Sequence, residues 1–465
     1  MASMSLPNPH LYPNAVPRSQ HYRIKVNGVR VDALSHPAAH HASVECTGLV
    51  HVEIVVTERP KNVVVRPLSC GISPQITDHR ITFPLFAPQN VQVEVEGQPL
   101  LYLYALAPAK KAPIGPSVRR FEAGHIHEVG VMTLSAGEIC WIEPGAIVRG
   151  SIRAYYADRV QVGGYGILDG GYWMDHEGRR RKALIFDHCT NAVIEDLLML
   201  GPSHWMITLG ACHHVSVKGV RQIANDSSSD GIDIAGSTEV RVNDCCLHNG
   251  DDNIAIKAIG NTSDKLERAS LDLPFESWNG KVEDVIVSNC ILYNLLGGSA
   301  MEIGYETSTE HIHNIRFENI DVLGVHGFGS VFGIHNGDRA CVKDVTWDHI
   351  RVDHHYDKLV DFRVIKSRWN VDTVRGTIRN INLQNIKVCQ SLFNEGYSMS
   401  VICGYDPKHR VQSVCFSRFE LGGRTITSAD EISLATRHVD AIRFLADTAI
   451  GDQESRSSPD RLGKR

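Results

Sequence analysis

Three aspartates hold the most chemistry in the smallest span of this chain. Ser229-Asp-Gly-Ile-Asp-Ile and Asp251-Asp-Asn-Ile-Ala-Ile end alike, and laying Ile232 and Ile234 over Ile254 and Ile256 puts Asp230 in register with Asp252, with Asp251 one step earlier. If the two segments are adjacent strands, about 4.8 Å apart, the three carboxylates share one face. Like charges raise one another's pKa, so at least one of the three is expected to hold a proton near neutrality. A protonated acid beside ionised carboxylates can protonate a leaving oxygen while a neighbour activates water, which is what cleavage of a glycosidic bond requires. The structural alternative is that Asp230 and Asp252 only cap turns, as Asp commonly does beside Gly. Three acids in one register are more than turn capping asks for.

The same register extends to neighbouring segments and supplies candidate substrate contacts. Aligning Ile207 and Leu209 brings Trp205 beside Asp230, with His204 next to it; aligning Met301 and Ile303 brings Ser299 beside Asp252. Glu302 and Glu306 lie one repeat beyond the aspartates, with Glu302 in the register of Asp233, and Lys257 follows the second aspartate pair. Trp173, Trp205, Trp278, Tyr305 and Trp369 are candidate platforms for sugar rings, Trp205 foremost, and Arg339 a further contact. The alternative for each Trp is the core; for Glu302 and Glu306 it is a solvated face, and for Lys257 and Arg339 a surface or turn position.

Elements that could hold these residues recur along the chain. Short alternating segments begin at Val160, Val193, Val215, Val240, Val285, Ile315, Val345, Ile381 and Val414, with steps of 33, 22, 25, 45, 30, 30, 36 and 33 residues. Period-two alternation and β-branched residues make each copy a strand. Five residues after the anchor stand Val220, Cys245, Cys290, Ile320, Ile350, Ile386 and Phe419, an apolar ladder; one position before these stand Asp244, Asn289, Asn319, His349 and Asn385, a ladder of polar turn residues. A core ladder beside a turn ladder predicts a parallel β-helix, since each coil can bury its face only on the next. The expected fold class is therefore all-β, a parallel β-helix over residues 118–427 preceded by a small β-sandwich in residues 1–117. Residues 428–465 read as an extension, with a short helix capped by Ser428 and a disordered tail from Asp452.

Composition narrows the classes. The chain has 465 residues, 43% hydrophobic and 22% charged, with a formal net charge of −6, which gives no bulk footprint for nucleic acid and no disordered profile. No apolar run approaches the roughly 20 residues of a membrane helix. Twelve scattered cysteines show no metal-ligand spacing and read as reduced, mostly buried thiols. No basic segment followed by an apolar one opens the chain, which gives a cytoplasmic expectation, although a secreted protein freed of its leader would read the same. No metal or other cofactor is expected despite 24 histidines, the only partner implied is a carbohydrate, and a homo-oligomer is left open.

With these segments in view, the chain resembles the glycoside hydrolases built on a right-handed parallel β-helix. Gly163-Gly-Tyr-Gly-Ile-Leu-Asp-Gly, Ser228-Ser-Asp-Gly-Ile-Asp-Ile and Gly250-Asp-Asp-Asn-Ile-Ala-Ile-Lys look like motifs of the polygalacturonase family. The sandwich before them is closer to the dextranase and isopullulanase family. The resemblance implies an inverting hydrolase with Asp251 as general acid and Asp230 and Asp252 on the water. Two departures separate the chain from polygalacturonases: Gly297-Gly-Ser-Ala stands where a Gly-His-Gly block is expected, so Ser299 replaces its His, and the Arg-Ile-Lys block has no near counterpart, Arg363-Val-Ile-Lys lying far downstream. Both argue against galacturonate. Other readings are a β-helix lyase or a fructan or glycosyl transferase, and a non-catalytic glycan-binding solenoid.

Overall fold

The structure, a computed structural model, describes residues 6–171, 181–201, 204–260, 277–294, 296–389 and 399–446. The fold class is as expected: apart from two short 3-10 turns the described elements are strands, and 29 of them form one continuous, mostly parallel sheet from Val118–Phe121 to Val439–Leu445. From Gln161–Gly163 to Met301–Thr307 each coil contributes three strands, each paired with its counterpart in the next coil. From His311–Val325 onward two of the three merge, so each later coil adds one long strand and one shorter one. Right-handed winding follows the general hand of parallel crossovers.

Two columns of left-handed residues set the register. The turn ladder holds φ of 56° at Asp244, 55° at Asn289, 52° at Asn319, 55° at His349 and 56° at Asn385, a conformation that Asn and Asp tolerate best among residues with a side chain. Their amides also bond from coil to coil: Asn319 Nδ2 donates to Asn289 Oδ1 at 2.6 Å, and Asn289 Nδ2 to Asn243 Oδ1 at 2.7 Å. The second column precedes each core anchor, at Arg159, Asn191, His214, Glu239, Asp284, Asn314, Asp344, Asn380 and Ser413. It corrects one anchor. Ala192, not Val193, pairs with Val215, because the left-handed residue is Asn191 and the run Ala192-Val-Ile offers two apolar frames of opposite parity.

The C-terminal expectation is also corrected. Only Asp430–Ile432 forms a single 3-10 turn, with the Glu431 carboxylate accepting from the Thr427 and Ser428 amides; Leu434–Arg437 and Val439–Leu445 then pair in parallel with Ser400–Cys403 and Val411–Leu421. Residues 434–445 thus form a last coil, whose Ile442 and Phe444 pack on the end of the core. The tail from Asp452 lies outside the described residues.

Residues 8–106 make two sheets, of six and five strands, facing each other across a core that includes Ile24, Val52, Ile54, Phe83, Val93 and Leu103. The outer face of the six-stranded sheet carries Tyr102 and Tyr104, which pack with Leu34 and Leu106 on Ile147, Ile167, Leu198 and Ile223 of the solenoid. All twelve cysteines are free thiols; seven are buried and Cys389 is exposed.

Candidate active site

The aspartates sit where strands of one solenoid face begin: Ile207–Gly210, Ile232–Ala235, Ile254–Ala258, Met301–Thr307, Ser330–Asn336 and Lys358–Val364. Ile232 pairs with Ile254 and Ile254 with Met301, so Trp205, Asp230, Asp252 and Ser299 fall in the row that the sequence register implied. Buried amides fix the corners before these strands. Gln222 Nε2 donates to the Gly231 carbonyl at 3.1 Å, Asn249 Nδ2 to Gln222 Oε1 at 3.0 Å, and Asn253 Nδ2 to Asn249 Oδ1 at 2.9 Å. Asn294 Nδ2 holds the Asp251 carbonyl at 2.6 Å.

Carboxylate oxygens of Asp230, Asp251 and Asp252 all lie within 4.8 Å of one another. Asp230 and Asp252 are buried and Asp251 is half-buried, so Asp251 is the acid most open to a bound substrate. Burial and then the charge of Asp230 push the Asp251 carboxyl up to about 7. Asp252 is driven well above the usual carboxylate range by burial, then by Asp251 and Glu302, while its Oδ1 accepts the Ser299 amide at 2.6 Å. The turn that brings this amide in needs glycine. Gly298 has φ +68°, and a Cβ there would stand 2.3 Å from Asp251 Oδ1.

Lys257 is neither a surface nor a turn residue. It is 5% exposed, and its ammonium lies 2.9 Å from Asp230 Oδ2 and 2.8 Å from Asp233 Oδ1. Burial opposes its charge, but Asp230 and Asp233 outweigh burial and hold it protonated; Asp233 itself, fully buried, is raised well above the carboxylate range. Beyond the aspartates, Glu302 is fully buried rather than on a solvated face. Its Oε1 meets His335 Nδ1 at 2.7 Å, its side chain lies over the missing Cβ of Gly333, and its Oε2 has no hydrogen-bond partner. His335 Nε2 lies 3.2 Å from Asp361, which also binds Arg363 at 2.5 and 2.7 Å. Burial pulls His335 down, but Glu302 and Asp361 more than offset this and carry it up to about 9.

The aromatic candidates divide. Trp205 is 7% exposed, with Lys182 Nζ 3.7 Å and Lys257 Nζ 4.2 Å from its ring centre, so ammonium groups rather than open solvent lie against it. His204 accepts the Trp205 amide on Nδ1. Trp278 is core, donating its indole N–H to Asp187 at 2.8 Å. Tyr305 is half-buried and stacked on the His335 ring at 4.4 Å, while Trp369 is exposed. Trp173 lies outside the described residues. Glu306 is half-buried and adds to the field on Lys257. Arg339 binds Asp372 and Ser308 beyond the far end of the Met301–Thr307 strand, away from the aspartates.

Sequence reasoning passed over Asp233, His335 and Asp361 and set Arg363 aside. Their signal was strand parity: Asp233, Ala255, Glu302, Gly333 and Asp361 form one outward row across five coils, and His335 pairs with Arg363 in the next outward row.

Residues 143–267, which include all three aspartates, match the family described as Glycosyl hydrolases family 28. The structure superposes on Dex49A from Penicillium minioluteum with a TM-score of 0.61 at 13% identity, covering 93% of this chain and 96% of that one. The chain resembles the parallel β-helix glycoside hydrolases. The family 28 exopolygalacturonase of Yersinia enterocolitica shares the fold at a TM-score of 0.53 and 13% identity, covering 94% and 99% of the two chains. A probable polygalacturonase of Arabidopsis thaliana is 28% identical over 181 residues, 36% of this chain and 39% of that one, and a probable exopolygalacturonase C of Aspergillus terreus is 30% identical over 152 residues, 32% and 29%. The chain thus spans well under half the length of these curated relatives.

Proposed function

We propose that this protein is a glycoside hydrolase that cleaves a neutral poly- or oligosaccharide, with Asp251 as general acid, Asp230 deprotonating water and Asp252 positioning it. The observation that carries the reading is the close-set trio of carboxylates, one of them half-buried with its titration near neutrality. Such a group holds a proton until a leaving oxygen takes it, and is stable as the carboxylate once the proton has gone. Support for a neutral substrate comes from three cations of the same face. Lys257, His335 and Arg363 are held by Asp230, Asp233, Glu302 and Asp361, so their charge is spent within the protein rather than on a uronate carboxylate. The relatives are named polygalacturonases; Gly297-Gly-Ser-Ala, standing where the family resemblance implies a Gly-His-Gly block, fits a different sugar.

Inversion is what the family resemblance implies. Proton NMR of the first-formed anomer tests it.

The test is reducing-sugar release from dextran, pullulan, arabinan, polygalacturonate and aryl glycosides by wild type and Asp251→Asn. Cleavage of a neutral glycan that the variant loses supports the proposal; cleavage of polygalacturonate alone overturns its substrate class. Binding without cleavage by both proteins would make this a glycan-binding solenoid.

A further inference from the structure

The histidine doublet His354-His355 has no part in the aspartate face. Its first member meets His326, the residue that follows the long strand His311–Val325, at the junction of solenoid and sandwich. His326 Nδ1 and His354 Nε2 stand 3.4 Å apart, in the wall of a cavity of about 370 Å³. That distance is long for an N–H hydrogen bond, which runs at about 2.7–3.2 Å. It matches the ~3.3–3.4 Å edge of a tetrahedron whose metal–nitrogen bonds are about 2.0–2.1 Å.

Beside the pair, Arg66 of the sandwich divides its guanidinium between Glu94 at 2.8 Å and Asp353 at 3.3 Å, and all three line the cavity, so the charge of these carboxylates is met within the wall and the pair offers its imidazole nitrogens alone. Imidazole nitrogens select first-row transition ions over calcium or magnesium, which take oxygen ligands.

We propose that His326 and His354 bind one divalent transition-metal ion of the zinc, nickel or copper class, with water filling the remaining positions. An ion there pins the 326–329 turn to the following coil. That turn packs on the one before Ser299, since a Cβ at Gly327 would stand 2.3 Å from the Leu296 carbonyl oxygen. The site is separate from the three aspartates and independent of the proposed reaction.

Isothermal titration of the full chain with zinc chloride, and separately with nickel chloride, tests it. The expected result is one saturable equivalent with micromolar affinity and a melting temperature raised by several degrees. Both effects should weaken at least about tenfold in His354→Ala and in His326→Gln, and persist in His51→Ala, which alters an exposed histidine of the sandwich. Circular dichroism melts without metal establish that each variant is folded; because His326 is exposed, its variant keeps the test usable if His354→Ala is not. No saturable binding below millimolar metal, or equal binding by wild type and both variants, overturns the proposal.

Discussion

At the scale of single residues the face is governed by protons. Asp251 is raised to about 7 in the folded protein against 3.8 when unperturbed, so folding takes up a proton there. Stability linked to this group is therefore fully present below about pH 4 and is lost as pH rises through about 7. Activity that needs the protonated acid follows the same direction, and kcat is expected to fall as pH passes 7. Asp251→Asn should lower kcat by about 10²–10⁴-fold while raising the melting temperature at pH 8; thermal melts and rates on one preparation check both signs. Lys257 is the opposite case. Removing its charge in Lys257→Met strands Asp230 and Asp233 in a buried site, at a cost of about 3–5 kcal/mol, readable in urea unfolding at pH 7. A loss below 1 kcal/mol would show that the buried pair is already neutralised by protonation.

At the scale of elements, the coil is held in frame by left-handed polar residues. Asn289, at φ 55°, also donates its amide to the previous coil. Asn289→Ala is expected to cost about 1–2 kcal/mol, because a Cβ without a polar tip is strained in that region. Asn289→Gly should cost less, since it relieves the strain and loses only the two side-chain hydrogen bonds, to Asn243 and from Asn319. Equal losses in the two variants, measured by chemical denaturation, would place the cost in the hydrogen bonds instead. The same ladder was visible in the sequence, as Asp, Asn, Asn, His and Asn one step before an apolar residue. The helix expected after Ser428 was not visible as a coil, because Leu434–Leu445 is a single copy with charged residues between its apolar ones.

At the scale of the whole molecule, the sandwich and solenoid share a buried apolar contact centred on Tyr102 and Tyr104. Tyr102 accepts Gln92 at 2.6 Å within the sandwich and lies 3.1 Å from His248 Nδ1 of the solenoid. One cooperative unfolding transition is therefore expected by calorimetry. Tyr104→Asp, which sets a charge into that contact, should split it into two; a single transition in the variant would mean the two parts are coupled elsewhere.

Local pattern was enough for the parallel β-helix, for the row joining Trp205, Asp230, Asp252 and Ser299, and for the trio of acids, because strand periodicity and coil stacking are encoded in neighbouring residues. Burial and charge pairing were decided only by the tertiary structure. Lys257 reads as a surface residue until two carboxylates from the preceding coil close on it, and Trp205 as an exposed platform until lysines lie against its ring. Asp233, Glu302, His335 and Asp361 come from four coils, 128 residues apart from first to last, and the energy of each depends on the others' charge in a low-dielectric wall. Such coupling is a property of distance in space, and no single segment of the chain contains it.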